Sequence, residues 1–155
     1  MKKYTLLFLL IFLSSCSKNC EQDYKNYKDF SKQNQRAKGW FPSLISNDAF
    51  NLKSSSSLDP FHDFGVFEYT NEIYYDSIFK DEVKISISEF EKIIKNNIES
   101  KPSWFLNIVD IKKKDLKVVI SEGFILVKRN KEKKIYFVLT DGMNYNRLRK
   151  TPQNQ

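Results

Sequence analysis

The sequence has few of the residues from which active sites and phosphate-binding loops are commonly built. Its 155 residues include four glycines, one histidine and two cysteines. They contain no glycine-rich phosphate loop, no G-x-S-x-G nucleophile elbow, no C-x-x-C pair and no H-E-x-x-H helix. The sequence therefore predicts no cofactor and no metal, and it favours a protein that is not an enzyme.

Long hydrophobic runs are also missing, apart from one near the N-terminus. After Lys2 and Lys3, an apolar stretch extends from Tyr4 to Leu13. As a helix this stretch would rise about 15 Å, half of a hydrocarbon core of roughly 30 Å. A positive start, a short apolar core and the small residues that follow predict a bacterial export signal rather than a transmembrane helix.

The export signal ends in Leu13-Ser14-Ser15-Cys16, which resembles the lipobox of bacterial lipoproteins. This resemblance implies a diacylglyceryl group on Cys16 and cleavage by signal peptidase II between Ser15 and Cys16. Cysteine suits the position because its thiolate is nucleophilic enough to accept the lipid as a thioether. Ser17 stands where an Asp would resemble the retention signal for the inner membrane, so the outer membrane is favoured.

Removal of the signal changes the charge of the chain. Residues 1–15 carry Lys2 and Lys3 and no acid, so the balance falls from +7 to +5, which is 24 basic minus 19 acidic residues. The remaining 140 residues suffice for one domain with a hydrophobic core. Export and scattered lysines argue against a nucleic-acid partner, which requires a basic face with stacking aromatic rings. A modest attraction to anionic lipid headgroups is compatible with this charge.

Composition divides the chain into four parts. These are a signal peptide (1–15), a lipidated cysteine with a polar tether (16–38), one globular domain (39–145) and a polar basic tail (146–155). The domain is expected to begin where the polar tether gives way to aromatic and aliphatic residues.

The tether contains few aliphatic side chains. Tyr24, Tyr27 and Phe30 recur at a spacing of three, which predicts a short N-terminal helix. Cys20 is the only thiol left once Cys16 is lipidated, so no disulfide within the mature chain is expected. Cys20 is either a tolerated thiol, the favoured interpretation, or a site of pairing with another chain.

Two stretches in the middle of the domain predict strands. Residues 61–69 are rich in aromatic side chains, as a strand buried on both faces would be, and residues 83–87 alternate apolar and polar side chains. The serine run at residues 54–57 predicts an exposed loop before the first of these strands.

A helix is predicted over residues 88–99. Ser88 and Glu91 have the spacing of a capping box, in which each side chain satisfies a backbone N–H group of the other residue. The apolar side chains that follow form one helical stripe. They are Phe90, Ile93, Ile94 and Ile98.

The last third of the sequence predicts an antiparallel meander. Runs of β-branched and aromatic residues at 116–120, 124–128 and 135–139 are separated by short polar loops. Together these elements predict an α+β domain with an antiparallel sheet of about five strands, one packed helix near 88–99 and a short N-terminal helix. An all-β barrel with one inserted helix is the alternative.

The single histidine lies between two carboxylates, in the order Asp59, His62, Asp63. Such a group is a candidate acid–base pair or part of a metal site. A zinc site needs three or four ligands, however, and on a strand His62 and Asp63 point to opposite faces. Packing or surface roles are therefore the favoured interpretation.

Aromatic residues are abundant, with 13 Phe and 8 Tyr. Trp40, Phe41, Tyr74 and Tyr75 are the candidates for a binding surface, since aromatic rings provide large contact area at low entropic cost. The filling of an irregular core is the alternative, and it is favoured.

These observations favour an envelope lipoprotein that acts as a non-enzymatic binding module for an envelope protein or a glycan. Residues 39–50 with 58–59 are similar to a stretch in uncharacterised bacterial lipoproteins, and this similarity implies no activity. One alternative is an immunity or inhibitor lipoprotein against a toxin or lytic enzyme, although a charge of +5 would repel basic lysozymes. The other is an envelope hydrolase that uses His62 with Asp59 or Asp63.

Overall fold

The structure is a computed structural model that describes residues 19–111 and 115–140. The predicted signal peptide, the predicted lipidation site Cys16 and the predicted basic tail lie outside these ranges. Among the helices within them, none has the length and apolar character needed to cross a membrane.

The described ranges contain a seven-stranded antiparallel sheet. In chain order its strands are β1 (Cys20–Asn26), β2 (Phe50–Leu58), β3 (Phe61–Glu68), β4 (Val83–Lys84), β5 (Leu116–Ser121), β6 (Phe124–Arg129) and β7 (Lys134–Thr140). Across the sheet the order is β1-β2-β3-β7-β6-β5-β4. The α+β class and the C-terminal meander are confirmed, whereas the expected count of about five strands is too low.

Helices connect these strands and cover both faces of the sheet. They are α1 (Tyr27–Lys32), α2 (Glu72–Asp81), α3 (Ile87–Asn96) and α4 (Ile108–Ile111), with 3-10 turns at Gln35–Lys38 and Asn130–Glu132. The short N-terminal helix and the helix near 88–99 correspond to α1 and α3. The sequence interpretation missed α2, although Asn71 caps it by accepting a hydrogen bond from the Tyr74 N–H group.

The N-terminal segment is part of the sheet, so the prediction of a tether up to residue 38 is wrong for β1. Residues 20–26 pair with β2 along one edge, with Tyr24 opposite Leu52. An edge strand needs few apolar residues because one of its long sides faces solvent. Tyr24 is accordingly the only buried residue of β1. The predicted stripe of aromatic residues is divided between β1 and α1 and does not form one helical face.

The serine run forms the middle of β2, so the prediction of an exposed loop is also wrong. Ser54, Ser55, Ser56 and Ser57 are all buried between β1 and β3. Small hydroxyl side chains fit this position because they occupy little volume, and those of Ser56 and Ser57 hydrogen-bond to nearby backbone carbonyl oxygens. The Ser56 hydroxyl, for example, donates to the carbonyl oxygen of Cys20 at 3.4 Å.

Two hydrophobic cores lie on opposite faces of the sheet. The front core lies under α1, α2 and residues 40–49, and the back core lies under α3 and residues 104–111. Strand residues of the front core include Leu52, Phe67, Leu126 and Phe137. Strand residues of the back core include Phe64, Ile125, Val127 and Val138. Successive side chains of β3, β6 and β7 therefore enter different cores.

The N-cap of helix α3 lies two residues before the predicted cap, Ser88. Ser86 is the N-cap residue, and its hydroxyl accepts a hydrogen bond from the Glu89 N–H group at 3.2 Å. The predicted capping box of Ser88 and Glu91 is therefore not the start of the helix. Ile98 lies beyond the end of α3 and is 47 % exposed, so the buried stripe is shorter than predicted.

Candidate functional site

Two of the four aromatic residues expected at a binding surface are buried. Phe41 is 3 % exposed and its ring centroid lies 4.9 Å from that of Phe30 in the front core. Tyr75 is fully buried, and its hydroxyl accepts from the Ser46 N–H group at 3.1 Å. The prediction of a surface role is wrong for both residues, because the segment before β2 and helix α2 fold onto the front face.

The other two aromatic residues remain partly exposed, and each contacts a different part of the domain. Trp40 stacks on Phe61 with 6.1 Å between ring centroids. Tyr74 is 37 % exposed, and its hydroxyl donates to the carbonyl oxygen of Leu44 at 3.1 Å. Both side chains therefore hold the segment before β2 against the rest of the domain.

His62 does not pair with either aspartate. Its Nδ1 atom lies 3.0 Å from the carbonyl oxygen of Pro60, and its Nε2 atom is buried without a hydrogen-bond partner. Burial lowers the pKa of His62, and the contact with Pro60 opposes this only in part. The described residues include no group of three or more side chains suited to hold a metal ion.

Asp63 points to the face of the sheet opposite His62, and both of its carboxylate oxygens are buried without a partner. Burial raises the pKa of the Asp63 carboxyl well above its ordinary value. Ser54, which lies opposite Gly65 on the adjacent strand, also has a buried and unpaired hydroxyl. The nucleophile–base geometry that a hydrolase requires is not formed at His62 and Asp63.

An open groove lies at the β4 edge of the sheet, between α2 and the start of α3. Its volume is about 470 Å³. Apolar side chains form much of its lining, and they come from α2, from the chain just after β4 and from β5. They include Phe79, Ile85, Leu116, Val118 and Val119.

The polar lining of the same groove is mainly cationic. Lys80 comes from the last turn of α2, Lys84 from β4 and Lys117 from β5, and Asp76 is the only acid among the lining residues. Ser86, the N-cap residue of α3, also lines the groove, so the positive end of the helix dipole adjoins it.

Asp76 forms an ion pair with a buried lysine. The Lys128 ammonium group, whose side chain is fully buried, lies 2.5 Å from Asp76 Oδ1, and Lys117 lies 3.7 Å from the same oxygen. The hydrogen bond from Lys128 lowers the pKa of the Asp76 carboxyl. Lys128 also lies 5.7 Å from the centre of the Tyr69 ring. The one carboxylate of the groove is therefore already neutralised by the protein.

Sequence reasoning missed this groove because its lysines come from three separate elements. Lys117 lies opposite Lys128 in the register of β5 and β6, and Lys84 lies opposite Val119 in that of β4 and β5. Only strand pairing brings these positions to one edge. In the sequence each lysine looks like an ordinary solvated residue.

A family model, the YbbD head domain, matches residues 18–75. This range covers β1, α1, β2, β3 and the start of α2, which is less than half of the chain. It ends before Asp76, so it contains none of the residues that line the groove. No curated protein and no solved structure matches the chain.

Proposed function

We propose that this protein is an envelope lipoprotein, anchored through a lipid on Cys16 in the outer rather than the inner membrane, whose folded part is a non-enzymatic binding module. The observation that carries the binding role is the groove beside β4, which combines apolar walls with three lysines. Its lining contains no histidine or cysteine to act as base or nucleophile.

The position of β1 changes how such an anchor would hold the domain. The strand begins at Cys20, four residues after Cys16. Four extended residues reach at most about 14 Å. A lipid on Cys16 would therefore keep the β1 edge of the sheet close to the bilayer, and a long spacer is not part of the proposal.

Replacement of the lipidated cysteine tests the anchor. In cells fed an alkyne-tagged fatty acid, Cys16→Ser should abolish labelling of the protein and release it from the membrane fraction, because the serine hydroxyl cannot accept the lipid. The matched control is Cys20→Ser, which removes the exposed second thiol and should leave labelling unchanged. Labelling that survives in Cys16→Ser would contradict the anchor.

Capture from the envelope tests the binding role. The tagged, full-length protein is crosslinked gently in intact cells and purified from detergent-solubilised envelopes, and a defined protein or glycan should be enriched with it. The control carries residues 1–19 fused to an unrelated globular protein, which supplies the same anchor without the domain. Equal recovery with the control, or no enriched species, would contradict the binding role.

A further inference from the structure

We infer that the groove between α2, β4 and β5 binds a small organic anion, one with an apolar body and a carboxylate or phosphate head. The inference rests on the proposed binding role and adds to it the site and the chemical class of the ligand. The size, the lining and the charge of the groove each support it.

The size and walls of the groove suit a small molecule. Its volume of about 470 Å³ lies within the range of roughly 300–1,000 Å³ that is common for such sites. Phe79 closes it from α2, while Ile85, Leu116 and Val118 contribute apolar surface from the sheet edge. These side chains are at most 8 % exposed in the free protein, so an apolar body placed there would gain mainly packing contacts with them.

The charge of the groove suits an anionic head. Lys80 and Lys84 form no ion pair with any residue that the structure describes. Lys117 shares Asp76 with the buried Lys128, so two ammonium groups already compete for this single carboxylate. An incoming carboxylate or phosphate would supply the negative charge that the groove lacks.

The nearby acid Glu82 is engaged outside the groove. The Glu82 carboxylate accepts a hydrogen bond from the Ser121 hydroxyl at 2.7 Å and does not line the groove. Ser86 places the N-terminus of the ten-residue helix α3 at the groove, which adds a favourable dipole for an anion. The sheet register fixes Lys84 and Lys117, so their backbone positions are set before a ligand arrives.

Lysine footprinting of the full-length, lipidated protein in phosphatidylcholine nanodiscs tests the site. The protein is acetylated with an amine-reactive reagent, with and without octanoate, octyl phosphate or 1-octanol, and each lysine is read by mass spectrometry. Octanoate or octyl phosphate should slow acetylation of Lys80, Lys84 and Lys117 at least threefold, whereas uncharged 1-octanol should not. Exposed lysines elsewhere serve as internal controls. They are Lys92 and Lys131, which lie away from the β1 edge that the anchor would hold near the bilayer.

A second set of nanodiscs distinguishes the two sources of such a ligand. If phosphatidylglycerol nanodiscs protect the same lysines without added octanoate, the anion is a membrane lipid headgroup. If protection requires octanoate or octyl phosphate, it is a soluble anion. No protection by any anion, equal protection by 1-octanol, or equal protection of the control lysines would overturn the inference.

Variants that remove two lysines at a time provide a second test of the site, which needs the acetylation rate of Lys80 alone. The half-saturating octanoate concentration, read at Lys80, should rise roughly tenfold in Lys84→Gln/Lys117→Gln. The control Lys25→Gln/Lys28→Gln loses the same charge and should not change it. If the double variant fails to fold, Lys84→Gln alone replaces it, because Lys84 lies at an exposed edge position. The half-saturating octanoate concentration should then rise about threefold. No rise in either groove variant would overturn the inference.

The two proposals fail independently. Loss of the footprint with an intact envelope partner and an intact Cys16 label would reject the groove as the site and leave the anchored binding module standing. A clear footprint without a Cys16 label would reject the anchor and leave the groove standing.

Discussion

At the scale of single residues, Asp63 makes the fold sensitive to pH. Its carboxylate is buried on β3 with both oxygens unpaired, and burial raises its pKa well above the ordinary 3.8. A carboxyl with a raised folded-state pKa stabilises the fold most below its unfolded pKa. That contribution is lost as pH rises towards the folded pKa, by up to about 1.4 kcal/mol per pH unit.

We therefore expect the free energy of unfolding to fall as the pH rises above about 4, through Asp63. In Asp63→Asn this part of the pH dependence should disappear, because the amide does not titrate. Urea denaturation at a series of pH values measures the slope. Asp81→Asn, at the exposed end of α2, is the matched control and should keep the wild-type slope. Identical slopes in wild type and Asp63→Asn would reject the assignment.

Residue identity alone did not decide exposure. Tyr74 and Tyr75 are adjacent on α2, yet one is 37 % exposed and the other fully buried, because neighbours on a helix point about 100° apart. Phe41 is buried beside the half-buried Trp40 because its ring packs into the front core against Phe30 and Phe137. The favoured interpretation, that these rings fill an irregular core, is confirmed for Phe41 and Tyr75.

At the scale of elements, the sequence predicted those whose side chains carry a periodic pattern. The apolar stripe of α3 and the three β-branched runs of β5, β6 and β7 can each be read locally, because a helix or strand with a buried face repeats its apolar residues at its own period. Strand β4 was predicted over five residues and has two, since pairing with β5 stops where the chain turns into α3.

Elements without such a pattern could not be predicted. The polar edge strand β1 and the serine-rich β2 acquire their strand conformation from pairing with each other and with β3. The segment that joins α1 to β2 is likewise held by contacts with residues far along the chain. The Asp48 carboxylate accepts from the Thr70 and Asn71 N–H groups at 2.8 and 2.6 Å, which ties this segment to the start of α2.

At the scale of the whole molecule, the two hydrophobic cores share one sheet. Phe64 enters the back core and Phe67 the front core, although both lie on β3. Unfolding of either core would therefore expose one face of strands whose opposite face forms the other core. We expect the domain to unfold in a single cooperative transition.

The two tryptophans of the chain test this expectation, because Trp40 packs against the front core and Trp104 against the back core. In Trp104→Phe and Trp40→Phe, fluorescence reports on one core at a time. Each variant's fluorescence transition in urea should coincide with its own transition measured by circular dichroism. A front-core transition separated from the global one would show that the cores unfold independently.

The groove belongs to this largest scale as well. Its lysines lie on α2, β4 and β5, and its one carboxylate is neutralised by Lys128 of β6. No local pattern marks such a site, whereas the lipobox is predicted from four consecutive residues, Leu13 to Cys16.

The sequence by itself determined the features that depend on near neighbours: the predicted export signal and lipidation site, the α+β class, helix α3 and the C-terminal meander. Only the tertiary structure decided the features that depend on distant pairing. These are the β1 edge of the seven-stranded sheet, the burial of the serines, the separation of His62 from Asp63 across the sheet, and the groove beside β4. Strand order and register set these features, and both arise from contacts between residues far apart in the chain.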